Sequence, residues 1–257
     1  MTEDAKFAKF AKFEYLLRLG DNCLVLSQQL GAWCGHGPAL EEDLAQTNVA
    51  LDLLGQARLW LSYAGEVEGK GRDEDALAYL RDGAAFRNLL LVEQPNGHYG
   101  DTVMRQFLFD AWHQHLLDGL SRSSDPRIAD IASKAAKEVR YHVKRSATLA
   151  IALGDGTALS HARMQASLEQ LWPYTQEWFE SDPVDDACAQ QAFAPAAASL
   201  APAWRASVEA VLARATLTIP HLIGHQRGGR QGNHSEHLGH LLTELQFVQR
   251  AYPGARW

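Results

Sequence analysis

Cysteine clusters, long apolar runs and strand-like alternation are all scarce in this 257-residue chain. No stretch of eighteen apolar residues occurs, so no segment is predicted to span a membrane. The N-terminal sequence MTEDAKFAKF is charged and lacks the apolar core of a signal peptide. The three cysteines, Cys23, Cys34 and Cys188, are too few and too dispersed for a disulfide framework or a zinc site. These absences predict a protein of the reducing cytoplasm.

Excess positive charge is also missing, because the net charge is −7 at pH 7. This acidic balance argues against nucleic acid as the main partner.

The threefold AKF repeat at 5–13 places Phe7, Phe10 and Phe13 near one side of a helix. We interpret residues 1–13 as an amphipathic N-terminal extension of the first helix, and a membrane-surface role is less favoured because the segment is short.

The remaining pattern is helical, with apolar residues recurring every three or four positions between glycine- and proline-containing breaks. The chain is therefore predicted to be all-α, a single helical-bundle domain over residues 1–257 with an irregular excursion at 181–202. Asp101 and Asp125 are predicted to be helix N-caps, and Pro173 is predicted to kink its helix. The predicted helices are 14–33, 40–64, 77–93 (as one or two helices), 102–120, 126–153, 157–180, 203–219 and 235–251.

Acidic residues within these helices suggest a metal site. The inward candidates are Asp21, Asp52, Asp101 or Asp110, and Glu138. Carboxylates with histidine suit a non-haem iron pair, for which helical bundles supply Glu-x-x-His from each of two helices.

The expected histidines are not at that spacing. Asp52 is followed at i+3 by Gly55, and Glu138 is followed by Tyr141 and, one residue late, by His142. Buried ion pairs or hydrogen bonds among these residues are the favoured alternative to a bound metal.

Two further motifs lie near the C-terminus. One is a possible metal cluster at three- or four-residue steps, for which surface histidines collected by chance are the alternative. Its members are His234, His237, His240 and Glu244. The other is the loop from Arg227 to Gly232 before the last helix, where Arg227 and Arg230 could contact a phosphate or a partner. A solvated loop is the alternative there.

Several stretches resemble the ring-1,2-phenylacetyl-CoA epoxidase family, and its C subunits in particular. They are RLGDNCLVLSQQLGAWCGHGP, NVALDLLGQARLWLSYA, NLLLVEQPNG, DAWH, KEVRYH and GGRQGNHSEHLGHLLTELQFVQR. The resemblance runs from about Tyr15 to Trp257 and implies a ferritin-like helical bundle with extra C-terminal helices.

The resemblance also implies an NADPH- and O2-dependent bacterial oxygenase that epoxidises the ring of phenylacetyl-CoA during phenylacetate breakdown. The catalytic A subunit would carry the di-iron centre, the small B subunit would bridge the assembly, and a reductase with FAD and an iron–sulfur cluster would supply electrons. This chain would bind no cofactor and would stabilise the catalytic partner as a non-catalytic structural subunit. Asp21, Asp52, Glu138 and His142 would then mark a relic metal site held by hydrogen bonds or salt bridges.

Two alternatives stay open at this point. One is a self-sufficient non-haem di-iron oxygenase with a non-standard ligand set. The other is a module that binds the CoA ester through Arg227 and Arg230. A protein that works within a complex also needs a contact surface, and Trp33, Trp60 and Trp112 could belong either to the core or to an interface.

Overall fold

The computed structural model describes residues 3–221 and 224–255, and every regular element within these ranges is a helix. The prediction of an all-α protein is therefore confirmed. None of the described helices is long and apolar enough to cross a membrane. The α-helices are α1 (Glu3–Gly31), α2 (Leu40–Glu68), α3 (Glu74–Tyr79), α4 (Tyr99–Leu120), α5 (Pro126–Gly154), α6 (Ala158–Leu171), α7 (Pro183–Gln190), α8 (Ala201–Arg214) and α9 (Glu236–Ala251).

The helices form two compact units, each with its own core. Unit 1 contains the residues up to Pro95 together with those from Arg227 onward, and unit 2 contains Asn96–Gln226. Assignment of residues 1–257 to a single domain stays a prediction.

Unit 1 is built on the pairing of α1 with α2, against which α3 and α9 pack. The two long helices approach closely at Gly20, where a Cβ atom would collide with the side chain of Leu61. Trp60 is fully buried in this core. The AKF repeat is a continuous part of α1, which begins at Glu3, and Phe7 and Phe10 are exposed.

Unit 2 is built on the pairing of α4 with α5, and both helices also contact α6 and α8. Asp125 caps α5 as predicted, because its carboxylate accepts hydrogen bonds from the backbone of Arg127 and Ile128. Trp112 and Trp204 pack against Trp178, which places these large side chains in the unit's own core.

The prediction of helix over 77–93 is wrong for most of that range. After α3 and a short 3-10 helix at Gly83–Ala85, the chain continues as irregular backbone with turns at 90–93, although residues 89–92 are buried. A non-helical backbone is tolerated there because side chains bond to it. For example, the Leu89 amide donates to Oδ1 of Asn22 at 2.8 Å.

The excursion at 181–202 is more regular than predicted. The carboxylate of Asp182 caps α7, Pro183 occupies its first turn, and a 3-10 helix at Ala197–Leu200 leads into α8. Ser181-Asp182-Pro183 is the same helix-start signal as Ser124-Asp125-Pro126, and the prediction overlooked it.

Two predicted helices are shorter in the structure. Pro173 does not kink a continuing helix, because α6 ends at Leu171 and Pro173 lies in the 3-10 helix Trp172–Tyr174. The helix predicted to reach Ile219 ends at Arg214, and the chain leaves it with Thr216 at a φ of 59°.

Candidate functional site

Asp21 lies in the core of unit 1, where its carboxylate is paired with a positively charged side chain of the same unit. Its side chain is fully buried and forms a two-pronged ion pair with Arg81, in which Nη2 contacts Oδ1 and Nη1 donates to Oδ2 at 3.0 Å. The backbone amide of Arg87 also donates to Oδ2, at 2.8 Å. The guanidinium therefore supplies the positive charge that a buried carboxylate requires.

The other predicted site residues are divided between the units. Asp52 is half-buried on α2 in unit 1, and Glu138 is half-buried on α5 in unit 2. His142 is buried on α5, one turn after Glu138. Assignment of Asp21, Asp52, Glu138 and His142 to one relic site stays a prediction.

Asp110 is the acidic centre of unit 2. It is fully buried on α4 and accepts hydrogen bonds from Nε2 of Gln106 at 2.6 Å and from Oγ of Ser146 at 2.8 Å. Burial raises the pKa of Asp110 to about 6, although the charges of His142 and Arg145 and the two hydrogen bonds act in the opposite direction. Asp110 is therefore a buried acid whose protonation changes close to physiological pH.

His113 follows Asp110 by three residues and was overlooked as a candidate. Burial, followed by the charge of His142, lowers the pKa of His113 to about 3, so the ring is neutral near pH 7. Within the described residues its Nδ1 atom has no hydrogen-bond partner. The sequence DAWH contained the signal, because it has the carboxylate-x-x-His spacing that is missing after Asp52 and Glu138.

Asp101, the other acidic candidate, has a structural role. His98, not Asp101, is the N-cap residue of α4, and Asp101 closes a capping box by accepting from the His98 amide at 2.9 Å. Its second oxygen accepts from Ser167 Oγ at 2.6 Å. The prediction placed the N-cap three residues late because aspartate is the commoner capping residue.

The N-terminus of α9 binds an internal carboxylate. Glu93 is fully buried, and its Oε1 accepts from the backbone amide of Ser235 at 2.6 Å, while Oε2 contacts Nδ1 of His234 at 2.8 Å and Nδ2 of Asn88 at 3.0 Å. Burial alone would lower the pKa of His234, but the hydrogen bond and charge of Glu93, together with the Phe86 carbonyl, outweigh it, and the pKa is raised. Glu93 thus supplies the negative charge at the N-terminal end of α9.

The prediction that the histidine cluster shares one helix face is wrong for His234. His234 precedes Ser235, the N-cap residue of α9, and both of its ring nitrogens bond inward, to Glu93 and to the carbonyl of Phe86. His240 and Glu244 are exposed on α9. The two arginines of the loop before α9 differ in their exposure to solvent, since Arg227 is exposed whereas Arg230 is buried. A role for these arginines in phosphate or partner contact stays a prediction.

Comparison with known proteins places the whole chain in one group. The family model described as phenylacetic acid catabolic protein matches residues 2–257. The chain belongs to this family. It is also similar to the C subunit of 1,2-phenylacetyl-CoA epoxidase from Escherichia coli strain K12, with 51% identity over 243 residues that cover 95% of this chain and 98% of the relative.

The all-α, ferritin-like fold of this chain raises the question of a di-iron centre, and the described residues do not fit one. Across residues 3–221 and 224–255, no three histidine, cysteine, aspartate or glutamate side chains converge in a geometry that would bind a metal ion. Asp21 is bonded to the guanidinium of Arg81, and both oxygens of Asp110 accept from neutral side chains. We therefore derive no chemical step through a metal in this chain.

Proposed function

We propose that this chain is the C subunit of a multicomponent phenylacetyl-CoA epoxidase in aerobic phenylacetate degradation. In this proposal it is a non-catalytic structural subunit of the cytoplasm that stabilises the di-iron A subunit, while the B subunit bridges the assembly. A reductase with FAD and an iron–sulfur cluster transfers electrons from NADPH, and O2 supplies the epoxide oxygen. The similarity to the Escherichia coli relative along almost the full length of both chains supports the proposal.

The observation that carries the non-catalytic role is the ion pair between Asp21 and Arg81. The bound guanidinium takes both oxygens of the carboxylate in the core of unit 1. A metal cation would have to displace Arg81 and leave a second positive charge buried beside it, which is unfavourable. Arg81 therefore supports a helical core that is stable with no metal bound.

Iron content tests this role directly. We would measure iron in the chain purified alone and in the complex after co-expression with the catalytic subunit. We expect no stoichiometric iron in the isolated chain and about two irons per pair of subunits in the complex, because a di-iron site needs ligands that the described part of this chain does not bring together. Stoichiometric iron in the isolated chain would instead establish the self-sufficient oxygenase.

A second experiment tests stabilisation of the partner. The catalytic subunit would be expressed with and without this chain, and its soluble yield and epoxidase activity would be compared. We expect insoluble or inactive catalytic subunit when this chain is omitted. Full activity in its absence would defeat the proposal of a structural subunit.

A further inference from the structure

Helix α2 presents four leucines to solvent, which we call the leucine face. Leu40 is 71% exposed, Leu44 56%, Leu51 59% and Leu54 39%. Isolated exposed leucines are ordinary, but a set of them on one helix face marks a contact surface.

The spacing places all four leucines on the same side of α2. They follow one another at steps of four, seven and three residues, which is the spacing of apolar residues in a heptad seam. The opposite side of the helix belongs to the core of unit 1 and includes Leu53 and Trp60, both 0% exposed. Helix α2 thus has two apolar sides, and among the described residues of unit 1 only the side with Leu53 and Trp60 is covered.

Gly55 lies beside Leu51 and Leu54 on the exposed side. It is exposed, and a Cβ atom added there would lie more than 4 Å from every described atom beyond its chain neighbours and the adjacent backbone of α2. A glycine in a helix interior lowers helix stability relative to alanine. Its lack of a side chain leaves room for another helix to approach α2 closely at this level.

The charges beside the leucine face indicate the kind of helix that fits. Glu41 and Asp52 lie along one edge of the face and Asp43 along the other, while Arg58, near its C-terminal end, pairs with Glu74 at 3.1 Å. A second copy of this chain would bring its own acidic edges and a further net charge of −7. A helix with basic edges is attracted instead.

We propose that the leucine face docks an amphipathic helix of the catalytic subunit, with apolar residues at heptad spacing and lysine or arginine along its edges. This inference rests on the proposed function, because it assigns the partner that the proposed function requires. The leucines supply the apolar contact, Gly55 permits the close approach, and the acidic edges select a basic partner over a second copy.

Matched pairs of variants test the docking surface. The catalytic subunit, carrying an affinity tag, would be co-expressed with each variant of this chain, and the bound fraction would be measured over a range of salt concentrations. Leu51→Gln is matched by Leu159→Gln, since Leu159 on α6 is 62% exposed. Gly55→Leu, which fills the space beside the face, is matched by Gly239→Leu on α9, where an added Cβ atom would likewise be clear of the other described residues beyond the adjacent backbone.

We expect Leu51→Gln to weaken capture by about tenfold or more, because the substitution removes apolar surface that is buried in the contact. We expect Gly55→Leu to weaken capture to a similar extent, because the new side chain fills the space that the partner helix would occupy. The two controls lie outside the leucine face and should bind like wild type. Capture by wild type should also weaken as salt rises. Circular dichroism of each purified variant checks that the helices are retained.

Three other outcomes would overturn the inference. Equal capture of all variants would exclude the leucine face as the interface while leaving the proposed function intact. A dimer of the isolated chain that Leu51→Gln dissociates, seen by size exclusion with light scattering, would assign the face to a second copy. Failure of wild type itself to bind the catalytic subunit would defeat the proposed function as well.

Discussion

Replacing Asp110 by asparagine should stabilise the protein at neutral and alkaline pH. A rise in pKa from 3.8 to about 6 means that the folded protein favours the protonated carboxyl by about 3 kcal/mol more than the unfolded chain does. This stability is fully present below pH 3.8 and is lost as the pH rises through about 6. Asparagine has no such titration, so the variant avoids the loss.

The hydrogen bonds of Asp110 should survive the substitution. The amide oxygen of asparagine can accept from Gln106, as Oδ1 of Asp110 does now, and its NH2 group can donate to Oγ of Ser146. The Ser146 hydroxyl can then donate to the carbonyl of His142, which lies 2.9 Å away. Both existing hydrogen bonds are therefore kept, and the charge effect should exceed the cost of burying the second N–H of the new amide.

Urea unfolding at pH 5 and pH 8, followed by tryptophan fluorescence, measures this effect. We expect the advantage of Asp110→Asn over wild type to approach about 3 kcal/mol at pH 8, with roughly half of it arising between pH 5 and pH 8. Asp130→Asn, at an exposed position of α5, is the control for removing a carboxylate. An advantage that does not depend on pH, or a variant less stable than wild type at pH 8, would refute the assignment of a buried, weakly acidic Asp110.

Two further predictions concern unit 1 and use the same unfolding assay. Arg81→Met should destabilise the protein by about 3–5 kcal/mol, because it leaves Asp21 as a buried charge without its cation. Adding Asp21→Asn should restore much of this loss, and a double variant no better than the single one would disprove the coupling. Glu93 raises the pKa of His234. The contribution of protonated His234 to the free energy of unfolding should therefore be present below pH 6.5 and disappear as the pH rises through the folded-state pKa. The advantage of wild type over His234→Gln should therefore shrink from pH 6 to pH 9, and a constant difference would count against the ion pair.

Local signals predicted much of the fold. Asp125 and Pro126 marked the start of α5, and both ends of that helix agree with the structure to within about one residue. The region 77–93 could not be predicted in the same way, because its backbone is held by distant side chains. The Leu89 amide bonds to Asn22, which lies 67 residues away in sequence. No local propensity encodes such a contact.

The buried acids were predicted less completely than the helices. The apolar pattern around Asp21 indicated an inward side chain, but nothing in the sequence identified Arg81, 60 residues later, as its partner. Glu93 and His234 are 141 residues apart and were not connected. His113 is different, because DAWH places Asp110 and His113 one helical turn apart, and this i+3 spacing can be read from the sequence alone.

The two units accommodate a buried carboxylate in different ways. In unit 1 the guanidinium of Arg81 neutralises Asp21, and a guanidinium stays charged over the whole physiological pH range. In unit 2 neutral donors bind Asp110, and burial keeps its pKa near 6. The first solution needs a matching cation at a fixed place, so it is sensitive to mutation of either partner. The second needs only hydrogen-bond donors, but it makes the stability of unit 2 depend on pH. The substitutions at Arg81 and Asp110 should therefore differ in kind, because one removes a required charge and the other removes a charge that the core tolerates poorly.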